Sequence, residues 1–254
     1  MIDLHCHILP GVDDGPRDHD GFLNMAKTAV QDGITHLFAT PHHLNGRYEN
    51  TKSEILECVP KMNKILEIEN IPLTLHPGQE VRIHRELFNS LKTDEILTLD
   101  NKGKFILLEF PLGEVPTFSR ETVYELLLKD ITPIIVHPER NLGLLEENNQ
   151  LFDLVKEGAL VQLTCGSILG KFGKRVKNFS QKIIEHNLAH FIATDAHNVS
   201  TRGFTLQQAY ETISKTFGIS QTFYFKENAE IMLSGKHLYI EEPVRIKKKI
   251  LGIF

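Results

Sequence analysis

Short apolar runs alternate along this chain with longer segments in which apolar residues recur every three to four positions. A short apolar run is typical of a buried strand, whereas the longer period is typical of an amphipathic helix. The predicted strands are Ile2–His5, His36–Thr40, Leu73–Pro77, Lys104–Glu109, Ile131–Val136, Ala159–Leu163 and Phe191–Thr194. The predicted helices are Asp18–Asp32, Lys52–Glu69, Ser119–Lys129, Leu145–Glu157, Lys174–Asn187 and Leu206–Thr216.

The alternation of strand and helix predicts a parallel sheet, because parallel neighbours are joined by crossover helices. No linker, low-complexity tract or composition break divides the chain, so residues 1–254 are predicted to form a single domain. Seven strands with their helices indicate an α/β fold of the TIM-barrel type, complete or incomplete. In such a barrel the functional side chains lie at the carboxyl ends of the strands.

Residues that can bind metal ions stand at these predicted strand ends. Alternate residues of a strand share a face, so His5 and His7 can direct two imidazoles to one point. The other candidates follow later strands and are His42, Glu80, Glu109, His137, Asp195 and His197. These eight ligands exceed the four that one zinc ion takes. They suit two or three divalent ions, with Glu80 or Glu109 as a bridge.

Imidazole together with carboxylate favours Mn, Fe or Zn over Ca or Mg, which prefer oxygen ligands. Each candidate alone is as well explained by a structural or surface role, and only their joint placement indicates metal binding. The other histidines considered are assigned such structural or surface roles: His19, His36, His43, His76, His84, His186 and His190.

Composition narrows the class of protein. A net charge of −5 argues against a general nucleic-acid binder. The three cysteines are odd in number and lack CxxC spacing, which suits a reducing compartment and predicts a cytoplasmic protein. No signal-peptide pattern precedes the first strand, and the apolar runs are too short for stable membrane insertion. The basic and apolar segment 245–254 is expected to be a solvated tail or a last docking strand.

A cysteine-dependent phosphatase is excluded by spacing. That mechanism needs an arginine six residues after the cysteine, and those positions hold Val12, Lys64 and Lys171. No GxxxxGK[ST] nucleotide loop is present either. The glycine-containing stretch Gly166–Lys174 is expected to be an ordinary βα loop, although its position after a strand would also let it cover the mouth of a site.

The candidate ligands as a set resemble those of the PHP (polymerase and histidinol phosphatase) superfamily. The opening Asp3–Pro16, DLHCHILPGVDDGP, more narrowly resembles the CpsB/YwqE type of manganese-dependent bacterial protein-tyrosine phosphatases. The stretches Ala39–His43, Pro77–Val81 and His137–Arg140 resemble the same group. The resemblance covers essentially the whole chain. It implies a distorted seven-stranded β/α barrel with, typically, a trinuclear metal centre.

The activity implied by the resemblance is hydrolysis of phosphotyrosine in proteins, with Mn2+ as the expected cofactor. The partners implied are a bacterial tyrosine kinase and its targets, linked to capsule or exopolysaccharide production. Closely spaced cations lower the pKa of a bound water and clamp phosphoryl oxygens, so a metal-bridged hydroxide is expected to attack phosphorus directly.

Arginine and aspartate side chains are expected to support this reaction beside the metals. Arg140 and Arg202 are expected to contact the phosphate, because the planar guanidinium suits its oxygens, and Arg17 is a further candidate. Asp14 is expected to act as a leaving-group acid or to orient metal-bound water. The alternative for its loop, Gly11–Pro16, is a simple turn, since Gly, Asp and Pro dominate turns.

Two other functions use the same residues. A small-molecule phosphomonoesterase such as histidinol phosphatase would need the same metals, and a catalytically silent regulatory module would keep them for stability. The first loop, which resembles that of the tyrosine phosphatases, favours this activity over the small-molecule phosphomonoesterase. The complete ligand set argues against the catalytically silent module. The sequence leaves the physiological metal and the oligomeric state open.

Overall fold

In the computed structural model, which describes residues 1–236 and 238–247, parallel strands alternate with helices. The strands of the described part are β1 Ile2–Cys6, β2 His36–Ala39, β3 His42–His43, β4 Thr74–Pro77, β5 Glu80–Arg82, β6 Phe105–Glu109, β7 Thr132–Val136, β8 Leu160–Thr164 and β9 Phe191–Ala193. They form one sheet of order β1-β2-β4 and a second of order β3-β5-β6-β7-β8-β9.

Helices connect most of these strands. Their bounds are α1 His19–Gln31, α2 Lys52–Ile68, α3 Leu87–Lys92, α4 Ser119–Leu127, α5 Leu142–Glu146, α6 Asn149–Lys156, α7 Cys165–Leu169, α8 Lys174–Glu185, α9 Leu206–Phe217 and α10 Ile219–Ser234. Capping defines several starts: the Asp18 side chain accepts from the Gly21 N–H at α1, and Thr51 with Glu54 forms a capping box at α2.

The predicted count of seven strands is wrong, because two predicted strands lead into a second, short strand. The ladder of β2 stops at Thr40-Pro41 and resumes as β3, and that of β4 stops at Gly78-Gln79 and resumes as β5. Pro41 has no N–H to donate at the first interruption, but β7 pairs through Pro133 and the second interruption contains no proline, so proline alone does not set these breaks. Since β3 and β5 directly follow β2 and β4, the spatial order of the segments still follows their order in the chain.

The edge strands of the two sheets also meet. Cys6 forms a parallel bridge with Ala196 just after β9, and the His7 N–H donates to the Ala196 carbonyl at 2.9 Å. The buried Asp3 carboxylate accepts from both the N–H and the hydroxyl of Thr194, at 2.9 and 2.5 Å. The first strand is thereby attached to the last.

Alternate residues of each strand enter two different hydrophobic clusters, as the period of two requires. In β6, Ile106 and Leu108 belong to the larger cluster with the inner faces of the helices, whereas Phe105 and Leu107 belong to the smaller one. The smaller cluster lies among the strands and receives Met232 from α10. This packing leaves the carboxyl ends of the strands to polar side chains.

The helix predictions need correction in two respects. The predicted helix Leu145–Glu157 is broken into α5 and α6, because Glu147 leaves helical geometry at φ −119° and ψ 70°. Helices α3, α7 and α10 were not predicted, and α7 occupies the first part of the stretch Gly166–Lys174 that was expected to be a βα loop. The buried face of α10 includes Thr222 and Asn228 beside apolar residues and so lacks a clear apolar period.

The segment after α10 is placed only up to residue 247. Ile246 is buried, and the Val244 N–H donates to the His186 carbonyl at 2.9 Å, so this part docks without forming a strand. Residues 248–254, which carry the rest of the expected tail, lie outside the described residues. Among the described residues, no helix combines the length and hydrophobicity that crossing a membrane requires.

Candidate metal centre

The two histidines of β1 converge on one point. Their Nε2 atoms are 3.2 Å apart, and both side chains are fully buried. Behind them, His5 Nδ1 lies 2.9 Å from Gln162 Oε1 of β8, and His7 Nδ1 lies 2.6 Å from Asp13 Oδ2. A partner on Nδ1 fixes the ring and leaves Nε2 free to bind a metal, which is the usual arrangement around metal-ligating histidines.

Glu80, the first residue of β5, lies at the middle of the cluster. It is fully buried, and the register of β3 and β5 places it opposite His42. Its Oε2 atom lies 2.7 Å from His42 Nδ1, 3.3 Å from His7 Nε2 and 3.5 Å from His5 Nε2. Its Oε1 atom lies 2.7 Å from His137 Nε2. One carboxylate therefore contacts imidazoles from three strand ends.

Asp195 divides its two oxygens between histidines and arginines. Oδ1 lies 3.4 Å from His7 Nε2 and 3.6 Å from His5 Nε2. Oδ2 accepts from Arg140 Nη1 and Arg202 Nη2, both at 2.8 Å. Asp195 has a φ of 53°, a left-handed conformation that costs free energy outside glycine and that clusters at functional sites.

Six of the eight predicted ligands, together with Asp14, fall into three groups whose ligand atoms lie within 4.8 Å of one another; His137 and Asp195 lie outside these groups. The groups are His7 with Asp14, His42 and His197; His5 with His7 and Glu80; and His42 with Glu80 and Glu109. Each group shares a member with another, as expected for neighbouring metal positions joined by common ligands.

Unpartnered atoms show that these residues fit divalent metals. His42 Nδ1, Glu80 Oε2 and His197 Nε2 are buried and lack a hydrogen-bond partner of acceptable geometry, although His42 and Glu80 approach to 2.7 Å. Buried polar atoms are nearly always paired. An imidazole nitrogen and a carboxylate oxygen that face each other without a hydrogen bond are both satisfied by a shared cation.

Burial and neighbouring charges shift the pKa values in the cluster. Burial raises the pKa of Glu109 to about 7, and the Glu80 charge adds to the effect. Burial and the Arg140 cation lower the pKa of His137 to about 3, so its imidazole is neutral and able to bind a metal. Burial opposes ionisation of Glu80, but His5 and His42 outweigh it and hold its pKa well below the usual range.

A cavity of about 370 Å3 opens beside the cluster, within the size range of small-ligand sites. It is lined by His42, Glu109, Leu112, Arg140, Phe172, Val176 and Arg202. The Arg140 guanidinium carbon lies 5.3 Å from the centroid of the Phe172 ring. The cavity thus combines a metal-binding edge, two cations and an apolar wall.

The structure brings together all eight predicted ligands, which are His5, His7, His42, Glu80, Glu109, His137, Asp195 and His197. It also places Arg140 and Arg202 in the cavity lining. Asp14 Oδ1 lies 3.2 Å from His197 Nε2 and 3.5 Å from His42 Nε2, so its loop is part of the centre rather than a simple turn. Arg17 is exposed and forms no ion pair with a described residue.

Sequence reasoning missed four contributors. Asp13 stood in a motif that was examined only for Asp14, and Gln162 was visible as a polar residue inside an apolar strand. Arg82, which binds Glu109 Oε2 through Nε at 3.0 Å and Nη2 at 2.9 Å, carried no distinguishing signal. Phe172 lay in the stretch expected to be an ordinary loop, yet it lines the cavity.

The fold and the centre together define a class of metal-binding α/β protein. A TatD-like protein from Archaeoglobus fulgidus superimposes with a TM-score of 0.50 at 13% identity, over 92% of this chain and 100% of the other, which shows the fold alone. A crystal structure in a study of YwqE from Bacillus subtilis and CpsB from Streptococcus pneumoniae, described as metal-dependent tyrosine phosphatases, superimposes with a TM-score of 0.94. Identity there is 43%, over 98% of this chain and 100% of the other.

The chain belongs to the capsular polysaccharide synthesis family CpsB/CapC, whose model matches residues 1–234. Tyrosine-protein phosphatase YwqE of Bacillus subtilis is 44% identical over the whole of both chains. A putative tyrosine-protein phosphatase, CapC of Staphylococcus aureus, is 35% identical over 98% of this chain and 97% of its own.

Proposed function

We propose that this chain is a metal-dependent protein-tyrosine phosphatase that hydrolyses phosphotyrosine in proteins. The observation that carries the proposal is the cavity in which a histidine–carboxylate centre, two arginines and an apolar wall face the same space. Relatives of similar length that are named tyrosine-protein phosphatases support it.

The eight ligands and Asp14 would hold the metal ions, which when bound supply an activated water and neutralise charge on the phosphoryl group. Arg140 and Arg202 each present a guanidinium to the cavity and are positioned by Asp195 Oδ2. Planar guanidinium groups bind phosphoryl oxygens in pairs and stabilise the charge that spreads over them during transfer. The tyrosine leaving group, a phenol of pKa about 10, needs less protonation than an alkyl alcohol.

The cavity walls favour an aromatic ester. Leu112 and Phe172 are 66% and 41% exposed, and both line the cavity, so they offer apolar surface to a phenol ring that enters it. Histidinol phosphate, by contrast, carries an amine cation that would meet Arg140 and Arg202 in the same space. These contacts favour the tyrosine phosphatase over the small-molecule phosphomonoesterase.

We propose the following finer properties as well. The ions are two or three Mn2+, with Fe or Zn as substitutes, and the strands act as one distorted barrel within a single domain spanning residues 1–254. The protein works in the cytoplasm on a bacterial tyrosine kinase and its phosphorylated targets. The attachment of the edge strands β1 and β9 supports the barrel. The family's role in capsule synthesis supports the kinase and its targets as partners.

The test is the initial rate of phosphate release by metal-stripped protein, with Mn2+ restored or with EDTA present. Release from a phosphotyrosine peptide that needs Mn2+ and exceeds release from histidinol phosphate is the expected result. The reverse preference would assign the protein to small-molecule metabolism. Stoichiometric metal binding without turnover of either substrate would identify a regulatory module.

A further inference from the structure

A strongly basic segment, here named the basic rim, consists of Lys171, Lys174, Arg175 and Lys177. No aspartate or glutamate occurs between Glu157 and Glu185, although the chain as a whole carries a net charge of −5. Lys171, Lys174 and Arg175 are exposed and Lys177 is partly exposed. None of the four forms an ion pair with a described residue.

The basic rim stands at the mouth of the cavity. Phe172 and Val176 lie between members of the basic rim in the sequence, and both line the cavity. The turn that presents Phe172 depends on Gly170 and Gly173, at φ 87° and 90°, which are left-handed conformations that glycine adopts freely. The Lys171 N–H donates to the Gly166 carbonyl at 2.8 Å and holds this turn against α7.

Helix stability does not account for this charge. Lys174, Arg175 and Lys177 lie in or next to the first turn of α8, where the partial positive charge of the helix end disfavours cations. The first turn has no acidic residue to compensate. Cations placed where the helix end disfavours them, and beside the cavity, indicate that the function of the protein requires positive charge there.

We propose that the basic rim binds anionic groups, carboxylate or a second phosphate, that flank the target phosphotyrosine in a protein substrate. The inference rests on the proposed phosphatase function and adds the class of substrate. A phosphotyrosine whose ring passes Phe172 brings its neighbouring residues onto Lys174 and Arg175. Each exposed ion pair contributes roughly 2–5-fold in binding, so two or three together give about 10-fold at low salt.

The experiment compares three peptides of equal length at an ionic strength of about 20–50 mM, at which salt screens charges only weakly. One has neutral residues around a single phosphotyrosine, one has glutamates there, and one has a second phosphotyrosine. The wild-type protein is expected to give kcat/KM about 10-fold higher for one or both anionic peptides, mainly through a lower KM. The preference is expected to shrink as salt is added.

The variant Lys174→Gln/Arg175→Gln is expected to lose this preference while hydrolysing the neutral peptide and p-nitrophenyl phosphate at the wild-type rate. Both residues are exposed and neither lines the cavity beside the metal centre, so the variant is expected to fold like the wild type. The matched control, Lys64→Gln/Lys129→Gln, removes two exposed cations near the carboxyl-terminal ends of α2 and α4, and it is expected to keep the preference.

The outcomes separate the two proposals. Turnover of all three peptides at equal kcat/KM, or a preference that survives in Lys174→Gln/Arg175→Gln, would overturn the basic rim as a substrate-binding surface and leave the phosphatase intact. Absence of phosphotyrosine hydrolysis by the metal-loaded wild type would instead overturn the proposed function. A preference for only one anionic peptide would identify whether carboxylate or phosphate is the group bound.

Discussion

Two clusters of histidines lie among the strands of this protein, and they differ in how their polar atoms are satisfied. In one, His36 Nδ1 lies 3.0 Å from His76 Nε2, and His76 Nδ1 lies 3.3 Å from Asp100 Oδ1, whose charge is also paired with Lys102. In the metal centre, Glu80 Oε2, His42 Nδ1 and other buried atoms face one another without hydrogen bonds.

The difference teaches that histidine density alone does not mark a metal site. The His36–His76 pair has one carboxylate, and no buried atom of the pair or of Asp100 is unpartnered among the described residues. In the centre, several carboxylates and imidazoles converge with their metal-binding atoms exposed to one another. The metal centre differs from the other cluster because its carboxylate oxygens and imidazole nitrogens face one another with no hydrogen bond between them.

The variant Glu80→Gln is expected to have the largest effect on the difference between the two clusters. It keeps the size of the side chain but removes the charge that belongs to two ligand groups, so bound metal is expected to fall and kcat to drop by roughly 100-fold or more. Metal content by mass spectrometry and phosphotyrosine hydrolysis measure the two effects. The matched change His76→Gln in the other cluster is expected to leave both unchanged. Equal metal content in Glu80→Gln and wild type would contradict the assignment.

The variant Arg140→Ala sharpens the comparison by separating phosphate binding from metal binding. Loss of one charged donor to the transition state is expected to lower kcat/KM by about 100-fold. The metal content is expected to stay at the wild-type level. Arg140→Lys is expected to recover only part of the activity, because an ammonium lacks the planar fork. If Arg140→Ala loses its metal, the residue acts by holding Asp195 and not by contacting phosphate.

The variant Phe172→Ala tests the apolar wall of the cavity, where the ring is partly exposed, whereas the ring stacked on His76 in the other cluster is the fully buried Phe38. Removing the exposed ring is expected to raise KM for a phosphotyrosine peptide by roughly 5–10-fold, the size of an aromatic contact. Hydrolysis of a phosphoserine peptide is expected to change little, so selectivity for tyrosine falls. Phe223→Ala, which removes a ring 62% exposed on α10, is the control. A uniform loss on both peptides would show that the ring supports Arg140 rather than the substrate.

A third kind of buried histidine is expected to affect the stability of the fold and not the activity. His190 is fully buried, accepts from the Val161 N–H at 3.0 Å, and burial lowers its pKa to about 3. Because the unfolded chain takes up a proton near pH 6.5 and the folded chain does not, stability is lost as the pH falls below that value. Between pH 7 and 5 the loss is about 2 kcal/mol.

The variant His190→Asn keeps an acceptor for Val161 but cannot titrate. Denaturant unfolding at pH 7 and pH 5 is therefore expected to show a smaller pH-dependent loss for His190→Asn than for the wild type. The same loss in both proteins would show that His190 does not contribute to acid sensitivity.

The predictable part of the structure is what local patterns determine. Strand ends with histidine or carboxylate at fixed offsets, such as His5-Cys6-His7 and Asp195-Ala196-His197, predicted the strands and the candidate ligands that the structure brings together, because parallel strands expose their carboxyl ends together. The resemblance of the first loop to a known subgroup added the function.

The unpredictable part depends on contacts between distant residues. Arg82 is recognisable only through its contact with Glu109, and Gln162 only through His5 on a distant strand. The interruptions at Thr40-Pro41 and Gly78-Gln79 follow from how neighbouring strands pair, which no single segment encodes. Phe172 reaches the cavity because of a turn at two left-handed glycines, and a sequence pattern does not report where such a turn points.

The attachment of β1 to the end of β9 has a consequence for the order in which the protein matures during synthesis. His5 and His7 are made early, yet the strand that carries them is held in place by Thr194 and Ala196, close to the ligands Asp195 and His197. Contacts of such high sequence separation form late in folding. A ribosome-bound chain that ends before Thr194 holds six of the eight predicted ligands but lacks the contacts that place His5 and His7. Metal uptake is therefore expected to begin only once the fold is complete.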